Sequence, residues 1–262
     1  MVIQSIQRAI AVLSMFSSSQ PSIGVTEIAD ALGLNKGTAW GIITTLEQCR
    51  MLKKDPKTKK YQLGPKVYDL GLIFSISLPV NRIAARSVQD LADKSNLTVW
   101  MGIWDGKAIL VTINALPKSR GKTATQVGPK LAAHCSAVGK AALAWLSSED
   151  LTSFLEGNDL DAFTPSTITD RHDLIKDLEE TKRRGFAISK QEAVIGQSGL
   201  GAPIFDAQGD LSAVIGIAGP SNTVLGDRFE ELSEMLLIYA NEISEHLGYS
   251  PKPLAKSKRE DV

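Results

Sequence analysis

Three stretches of this 262-residue chain gather residue types that could do chemistry. The first is Asn35-Lys36-Gly37-Thr38-Ala39-Trp40, where a capping residue opens a helix and amide, ammonium and hydroxyl groups cluster at its start. A helix start of this kind suits contact with phosphate oxygens. The second runs from Lys53 to Lys60 around Asp55-Pro56 and holds Lys53, Lys54, Lys57, Lys59 and Lys60. It would attract a polyanion, or stand solvated as Lys-rich turns often do. The third is His134-Cys135-Ser136, a base beside two nucleophile types. Side chains of adjacent residues do not converge into a triad. Gly196-Gln197-Ser198-Gly199-Leu200 ends on Leu where a nucleophile elbow needs Gly. Gly139-Lys140 lacks the earlier Gly and the following Ser or Thr of a phosphate loop. His134, His172 and His246 have no metal-ligand spacing, nor do Cys49 and Cys135. No catalysis, metal or cofactor is expected.

The binding residues need elements to hold them. Ile3, Ile6, Ile10, Leu13 and Phe16 recur at helical spacing over 3–17. Thr26 is placed to cap a short helix with Ile28, Ala29 and Leu32 inward. After the Gly33-Leu34 turn, Asn35 caps a third helix to about Arg50, with Ala39, Ile42, Ile43 and Leu46 buried. Two apolar ends around the lysine-rich turn then read as a β-hairpin over 51–63. Helix, short helix, turn, helix and basic hairpin is the order of a winged helix-turn-helix, with a small three-helix interaction domain as the other reading.

The net charge of the chain is zero, 29 basic against 29 acidic residues, which by itself argues against a nucleic-acid partner. The zero conceals a split: residues 1–64 carry +4 and residues 65–262 carry −4. A basic first quarter with its charge on the hairpin is the footprint of a DNA-reading domain. Hydrophobic residues make up 43% and charged residues 22%, which excludes a disordered or collagen-like chain. The start is interrupted by Gln, Ser and Arg and does not read as a signal peptide. No apolar run reaches membrane-spanning length, so a reduced, cytoplasmic chain is expected.

Apolar spacing from Val67 to Phe74 reads as a connecting helix over 65–79, broken at Pro79, with pairing in a dimer as one use of its apolar face. A helix over 81–95, strands at 98–104 and 108–113 and a helix from Ser136 or Ala137 to Leu146 follow. Then come a helix capped by Asp170 and ended by Gly185, a strand at 186–189, a hairpin over 200–218, and a long helix capped by Asp227. This is an α/β domain over 80–249 with a mostly antiparallel sheet. The Pro- and Lys-rich tail 250–262 reads as disordered.

These motifs resemble the IclR-type transcriptional regulators over nearly the whole length. The likeness runs through Ile3-Gln4-Ser5-Ile6-Gln7-Arg8-Ala9, Glu27-Ile28-Ala29, Leu32 to Thr38 and Tyr61-Gln62-Leu63-Gly64-Pro65. It continues at His134 to Ala141, Arg184-Gly185-Phe186-Ala187, Ala202 to Asp206 and Gly219-Pro220. The resemblance implies an α+β chain: a winged helix-turn-helix joined by a linker helix to a GAF-like effector-binding domain. It also implies a homodimer or homotetramer, an operator in double-stranded DNA with inverted half-sites, and control by a small-molecule effector. A GAF-like sensor acting through protein contacts is the alternative.

The expected DNA contacts are Arg8, Thr26, Asn35, Lys36, Thr38, Trp40, Thr44, Lys53, Lys59 and Lys60. Many relatives carry His-Arg where this chain has Trp40-Gly41, so a bidentate Arg–guanine contact is lost there. Trp40 is left either to touch a thymine methyl or to join the core. The expected effector contacts are Met101, His134, Ala137, Val138, Ser189, Gly199, Gly216 and Ala218, with Trp100 or Trp104 as apolar walls. Relatives that bind small oxo-acids use Asp, Cys and Ser at the positions matching Ser189, Gly199, Gly216 and Ala218. Gly and Ala there imply a larger pocket and an aromatic or bulkier organic acid, unless the glycines only relieve crowding.

Overall fold

The computed structural model describes residues 2–119 and 130–250. The tail expected to be disordered lies, from residue 251, outside the described residues. Packing divides the chain into two units, Met1–Ser77 and Leu78–Val262.

The first unit contains α1 (Gln4–Ser14), α2 (Val25–Ala31), α3 (Lys36–Gln48), the hairpin β1 (Leu52–Lys54) and β2 (Tyr61–Leu63), and α4 (Pro65–Ser77). Val12, Ile23, Ile28, Ile43, Leu46, Leu52 and Tyr61 form its core. Each large apolar side chain buried there contributes about 1.5–3 kcal/mol. Gly33 takes φ +60° between α2 and α3, a left-handed turn that a β-carbon would strain. Two sequence expectations change, at Thr26 and along α1. Thr26 does not cap α2; Gly24 does, and the Glu27 carboxylate reaches back to accept the Gly24 N–H at 2.6 Å. The α1 stripe is divided: Leu13 and Phe16 pack on the core while Ile3, Ile6 and Ile10 stay exposed. In α4 no residue is buried, and Tyr68, Leu70, Leu72, Ile73, Phe74 and Ile76 are exposed.

The second unit begins with α5 (Pro79–Ser95), β3 (Thr98–Trp104), β4 (Ala108–Ala115), β5 (Lys130–Ala132), α6 (Ala137–Trp145), α7 (Ser148–Gly157) and α8 (Arg171–Arg184). It ends with β6 (Ala187–Lys190), β7 (Gln197–Phe205), β8 (Leu211–Pro220), α9 (Ser221–Val224) and α10 (Phe229–His246). The sheet runs β5-β4-β3-β8-β7-β6, with every described pairing antiparallel. Strand alternation sorts its side chains. Val99, Met101, Leu200, Ala202, Ile215 and Ile217 pack with α5 and α10. The opposite face meets α6. On α10, the Tyr239 hydroxyl bonds Asp90 of α5 and accepts from Lys94 Nζ at 2.8 Å. The last helix is opened by Arg228 rather than Asp227. α7 is an element the sequence reading did not name; its signal was Ser147, whose hydroxyl accepts the Asp150 N–H ahead of Phe154.

Candidate nucleic-acid interface and ligand cavity

The start of α3 is built as expected. Asn35 Oδ1 accepts the Thr38 N–H at 2.8 Å, which fixes the first turn and leaves the earlier N–H groups facing outward. Ala39, Ile43 and Leu46 turn into the core, so the other side of the helix presents Lys36, Trp40 and Gly41 to solvent. Trp40 is 58% exposed, which removes the core reading for it. Thr44 is half-buried on the flank of this face, and the Thr45 hydroxyl donates to Gly41 O. Arg8 is half-buried on α1 and Thr26 is exposed on α2.

The wing is set by Asp55. Its Oδ1 accepts from the N–H groups of Lys57 and Thr58, at 2.7 and 3.0 Å. These two bonds, first Thr58 and then Lys57, hold its carboxyl below the usual range. The turn sends Lys53, Lys57 and Lys59 outward. Lys60 differs from them. Its ammonium lies 3.1 Å from the Glu27 carboxylate, which also caps α2, so it ties the wing to the helix pair. The Gly24 N–H and then Lys60 lower the Glu27 pKa. Among the described residues, Lys60 alone of the wing lysines has a carboxylate partner in the helix pair.

The second unit encloses a cavity of about 590 Å³, within the range of small-molecule sites. Register explains its floor. Ser189 pairs Gly199, Gly199 pairs Ala218 and Ala218 pairs Thr98, one row across four strands. Trp100 stands one row away beside Gly216. Ala137 and Val138 of α6 line the cavity from above, with Ala193 and Val194 of the loop between β6 and β7 and Gln197 at the start of β7. Ser136 caps α6 by accepting the Gly139 N–H at 3.0 Å while donating to Ala132 O. The Ser189 hydroxyl is occupied too, donating to Cys135 O at 2.7 Å. Among the described lining residues no side chain is charged. Its polar groups are the side chains of Thr98, Gln197 and Ser198 and the first-turn N–H groups of α6, of which the helix start favours an anion. Trp100 Nε1 is buried without an acceptor among the described residues.

Of the expected effector contacts, Ala137, Val138, Ser189, Gly199, Gly216 and Ala218 border this cavity. Two do not. Met101 is one residue out of phase with Trp100, so it points to the opposite face and is fully buried with α5 and α10. His134 is buried outside the lining, its Nε2 paired with Asp161 O at 3.0 Å and its ring near Phe163. Trp104 packs edge-on against Phe154. Gly216 does not enlarge the cavity. A β-carbon there would lie 2.6 Å from Val138 Cγ1 and 2.7 Å from Leu200 O. The methyl of Val138 already fills that space. Gly201 has the same role under Ala137, with a β-carbon 2.4 Å from its carbonyl oxygen. Both glycines let α6 sit directly on the sheet.

Lys140, which the sequence reading set aside as no phosphate loop, is fully buried in α6. Its Nζ lies 2.8 Å from Glu192 Oε1 and 2.9 Å from Asp177 Oδ2. Burial raises the Glu192 pKa against the opposing pull of Lys140. Burial also pushes the Cys135 thiol up to about 11, which keeps it protonated near neutrality. No cluster of metal-ligating side chains occurs among the described residues. No helix among them is long and apolar enough to cross a membrane.

A winged helix-turn-helix joined to a ligand-cavity domain defines a class: regulators that read DNA and sense a small molecule. Comparison with known proteins makes the class specific. The IclR helix-turn-helix domain matches residues 5–56, and the C-terminal domain of bacterial transcriptional regulator IclR matches residues 75–245. The chain belongs to the IclR family of transcriptional regulators, with a DNA-binding N-terminal domain and an effector-binding C-terminal domain. It is 30% identical over 250 residues to the HTH-type transcriptional repressor AllR of Escherichia coli K12, covering 95% of this chain and 92% of the repressor. An IclR regulator structure from Alicyclobacillus acidocaldarius superposes with TM-score 0.82 at 25% identity, covering 95% of this chain and all of that one. An IclR homologue from Microbacterium hydrocarbonoxydans, complexed with 4-hydroxybenzoate, shares the fold with TM-score 0.79 at 20% identity, over 93% and 98% of the two chains.

Proposed function

We propose that this chain is a cytoplasmic, sequence-specific regulator whose hold on its operator is changed by an aromatic or comparably bulky organic acid. The observation that carries the reading is the makeup of the cavity: about 590 Å³, mostly apolar, without a charged side chain among the described lining, and with the first turn of α6 on it. An apolar body would fill the floor over Gly199 and Ala218, and a carboxylate would take the free N–H groups of Ala137 and Val138. The 4-hydroxybenzoate held by the Microbacterium homologue is an acid of this chemistry.

On the DNA side, Asn35, Lys36 and Thr38 would set α3 against a phosphate, and Trp40 and Thr44 would touch bases in the major groove. Lys53, Lys57 and Lys59 would add sequence-independent attraction. The exposed apolar faces of α1 and α4 support self-association, since such surface on one chain is costly in water. Two copies would read inverted half-sites, and the effector would favour one placement of the two winged domains. The test pairs a gel shift on the DNA upstream of the gene with a thermal-shift screen of organic acids. A salt-sensitive, sequence-preferring complex and an aromatic acid that raises the melting temperature are expected. Binding indifferent to sequence would point to the protein-contact sensor instead.

A further inference from the structure

The loop between β6 and β7 passes over the cavity, and it is built as two posts with a lightly held span. The first post is residues 191–192. The Thr164 hydroxyl donates to Gln191 O at 2.8 Å, and the Thr167 hydroxyl donates to Glu192 O at 2.6 Å. The Glu192 carboxylate accepts from Lys140 Nζ at 2.8 Å and from the Lys190 N–H at 3.0 Å. The second post is Gly196, whose carbonyl accepts the Ser221 N–H at 2.8 Å and whose own N–H donates to Gln191 Oε1. Both posts carry left-handed backbone, φ +57° at Gln191 and +79° at Gly196. The chain therefore reverses sharply at each end.

Between the posts, Ala193 and Val194 line the cavity. Val194 O accepts the Gln197 N–H at 3.1 Å, and among the described residues no hydrogen bond holds Ala193 or Ile195. Val194 is 57% exposed and Ile195 72% exposed. Two adjacent branched apolar side chains stand in solvent at the rim of an apolar cavity, although folding ordinarily buries them.

We propose that residues 191–196 are the gate of the cavity, with Val194 and Ile195 folding down over the apolar body of a bound acid. Glu192 is the positioning residue of this gate. It does not line the cavity, but its pair with Lys140 fixes the strap to the helix whose first turn would take the carboxylate. Asp177 of α8 shares that ammonium, so α6, α8 and the strap meet at one buried charge. Closure would slow the exit of ligand more than its entry, because the span must lift before an occupant leaves. The proposal rests on the cavity being the effector site.

The test uses the full chain and the fluorescent aromatic sulfonate 1-anilinonaphthalene-8-sulfonate, followed by stopped flow. Ala218→Leu puts bulk on the cavity floor and should remove the saturable signal. The double variant Val194→Ser, Ile195→Ser alters exposed side chains and should keep its fold. Its dissociation rate should rise roughly tenfold with little change in association, as expected for a lost cover. Glu192→Gln should raise amide exchange over 193–197 above that of β8, a readout that general destabilisation would move in both places. An unchanged dissociation rate in the double variant, with the signal lost in Ala218→Leu, overturns the gate and leaves the cavity reading standing. A signal that survives Ala218→Leu overturns the cavity as the dye's site, and the gate with it.

Discussion

Two helices of this chain open in the same way in opposite surroundings. Asn35 caps α3 and Ser136 caps α6, each accepting the N–H three residues on, at 2.8 and 3.0 Å. Both starts present free N–H groups and the positive end of a helix dipole. Around α3 the capping residue and Lys36 are exposed, so water and salt weaken whatever the helix attracts. On the proposed reading, affinity there would be assembled from many charges, to which the wing lysines would contribute. Around α6 every residue from Ala137 to Ala144 is buried. On the proposed reading, a few N–H groups would suffice for an anion there, and discrimination would fall to the shape of the cavity. Under the proposed function, one backbone device would serve two sites because the dielectric around it differs.

The buried side of this comparison should break most easily. Lys140→Ala leaves Glu192 and Asp177 facing each other without their shared cation. Removing one partner of a buried pair costs about 3–5 kcal/mol. Urea unfolding of the full chain should show the second unit losing that much, whereas Lys36→Ala on the exposed helix should leave its midpoint nearly unchanged. Equal losses from the two would mean that Lys140 is as well solvated as Lys36.

A glycine in each region sharpens the contrast. At Gly216 a new methyl would meet Val138 Cγ1 at 2.6 Å and backbone at 2.7 Å. Overpacking of this kind costs about 1–3 kcal/mol. At Gly41 on α3 a β-carbon meets nothing within 4 Å, and a helical Gly is worse than Ala by about 0.5–1 kcal/mol. Gly216→Ala should therefore lower the melting temperature and Gly41→Ala should raise it. A loss at both positions would place a partner against α3 that the isolated chain does not contain.

The same divide explains what could be read from the residues. In the first unit the helices, the turn, the wing and the cap at Asn35 follow from local signals: spacing, capping types and charge. The buried side read from Ala39, Ile43 and Leu46 agrees with the structure, and Trp40 stands off it in solvent. In the second unit the strands were legible, but the face each residue takes depends on register across four strands. Trp100 and Met101 look equivalent in sequence, yet one borders the cavity and the other fills the core. Gly216 reads as empty space until Val138 is brought against it from α6, 78 positions away in the chain. The Lys140–Glu192 pair, 52 residues apart, has no local signal at all.

The smallest effect concerns two lysines that sequence treats alike. Lys53 is exposed, with no salt bridge among the described residues, whereas Lys60 stands 3.1 Å from Glu27. Each phosphate neutralised on duplex DNA contributes about 0.9 to the slope of log affinity against log salt. Lys53→Ala should lower that slope by about one such step if the wing lies on the backbone. Lys60→Ala should lower it by less, because Glu27 already supplies a counter-charge that DNA must displace. Glu27→Gln separates the two readings. It frees the ammonium of Lys60, so the slope should steepen, and a subsequent Lys60→Ala should now cost as much as Lys53→Ala. If Lys60→Ala matches Lys53→Ala in the presence of Glu27, the ion pair opens on DNA. The wing would then be held by its Asp55 turn and by Leu52 and Tyr61 in the core, without an ion pair to the helices.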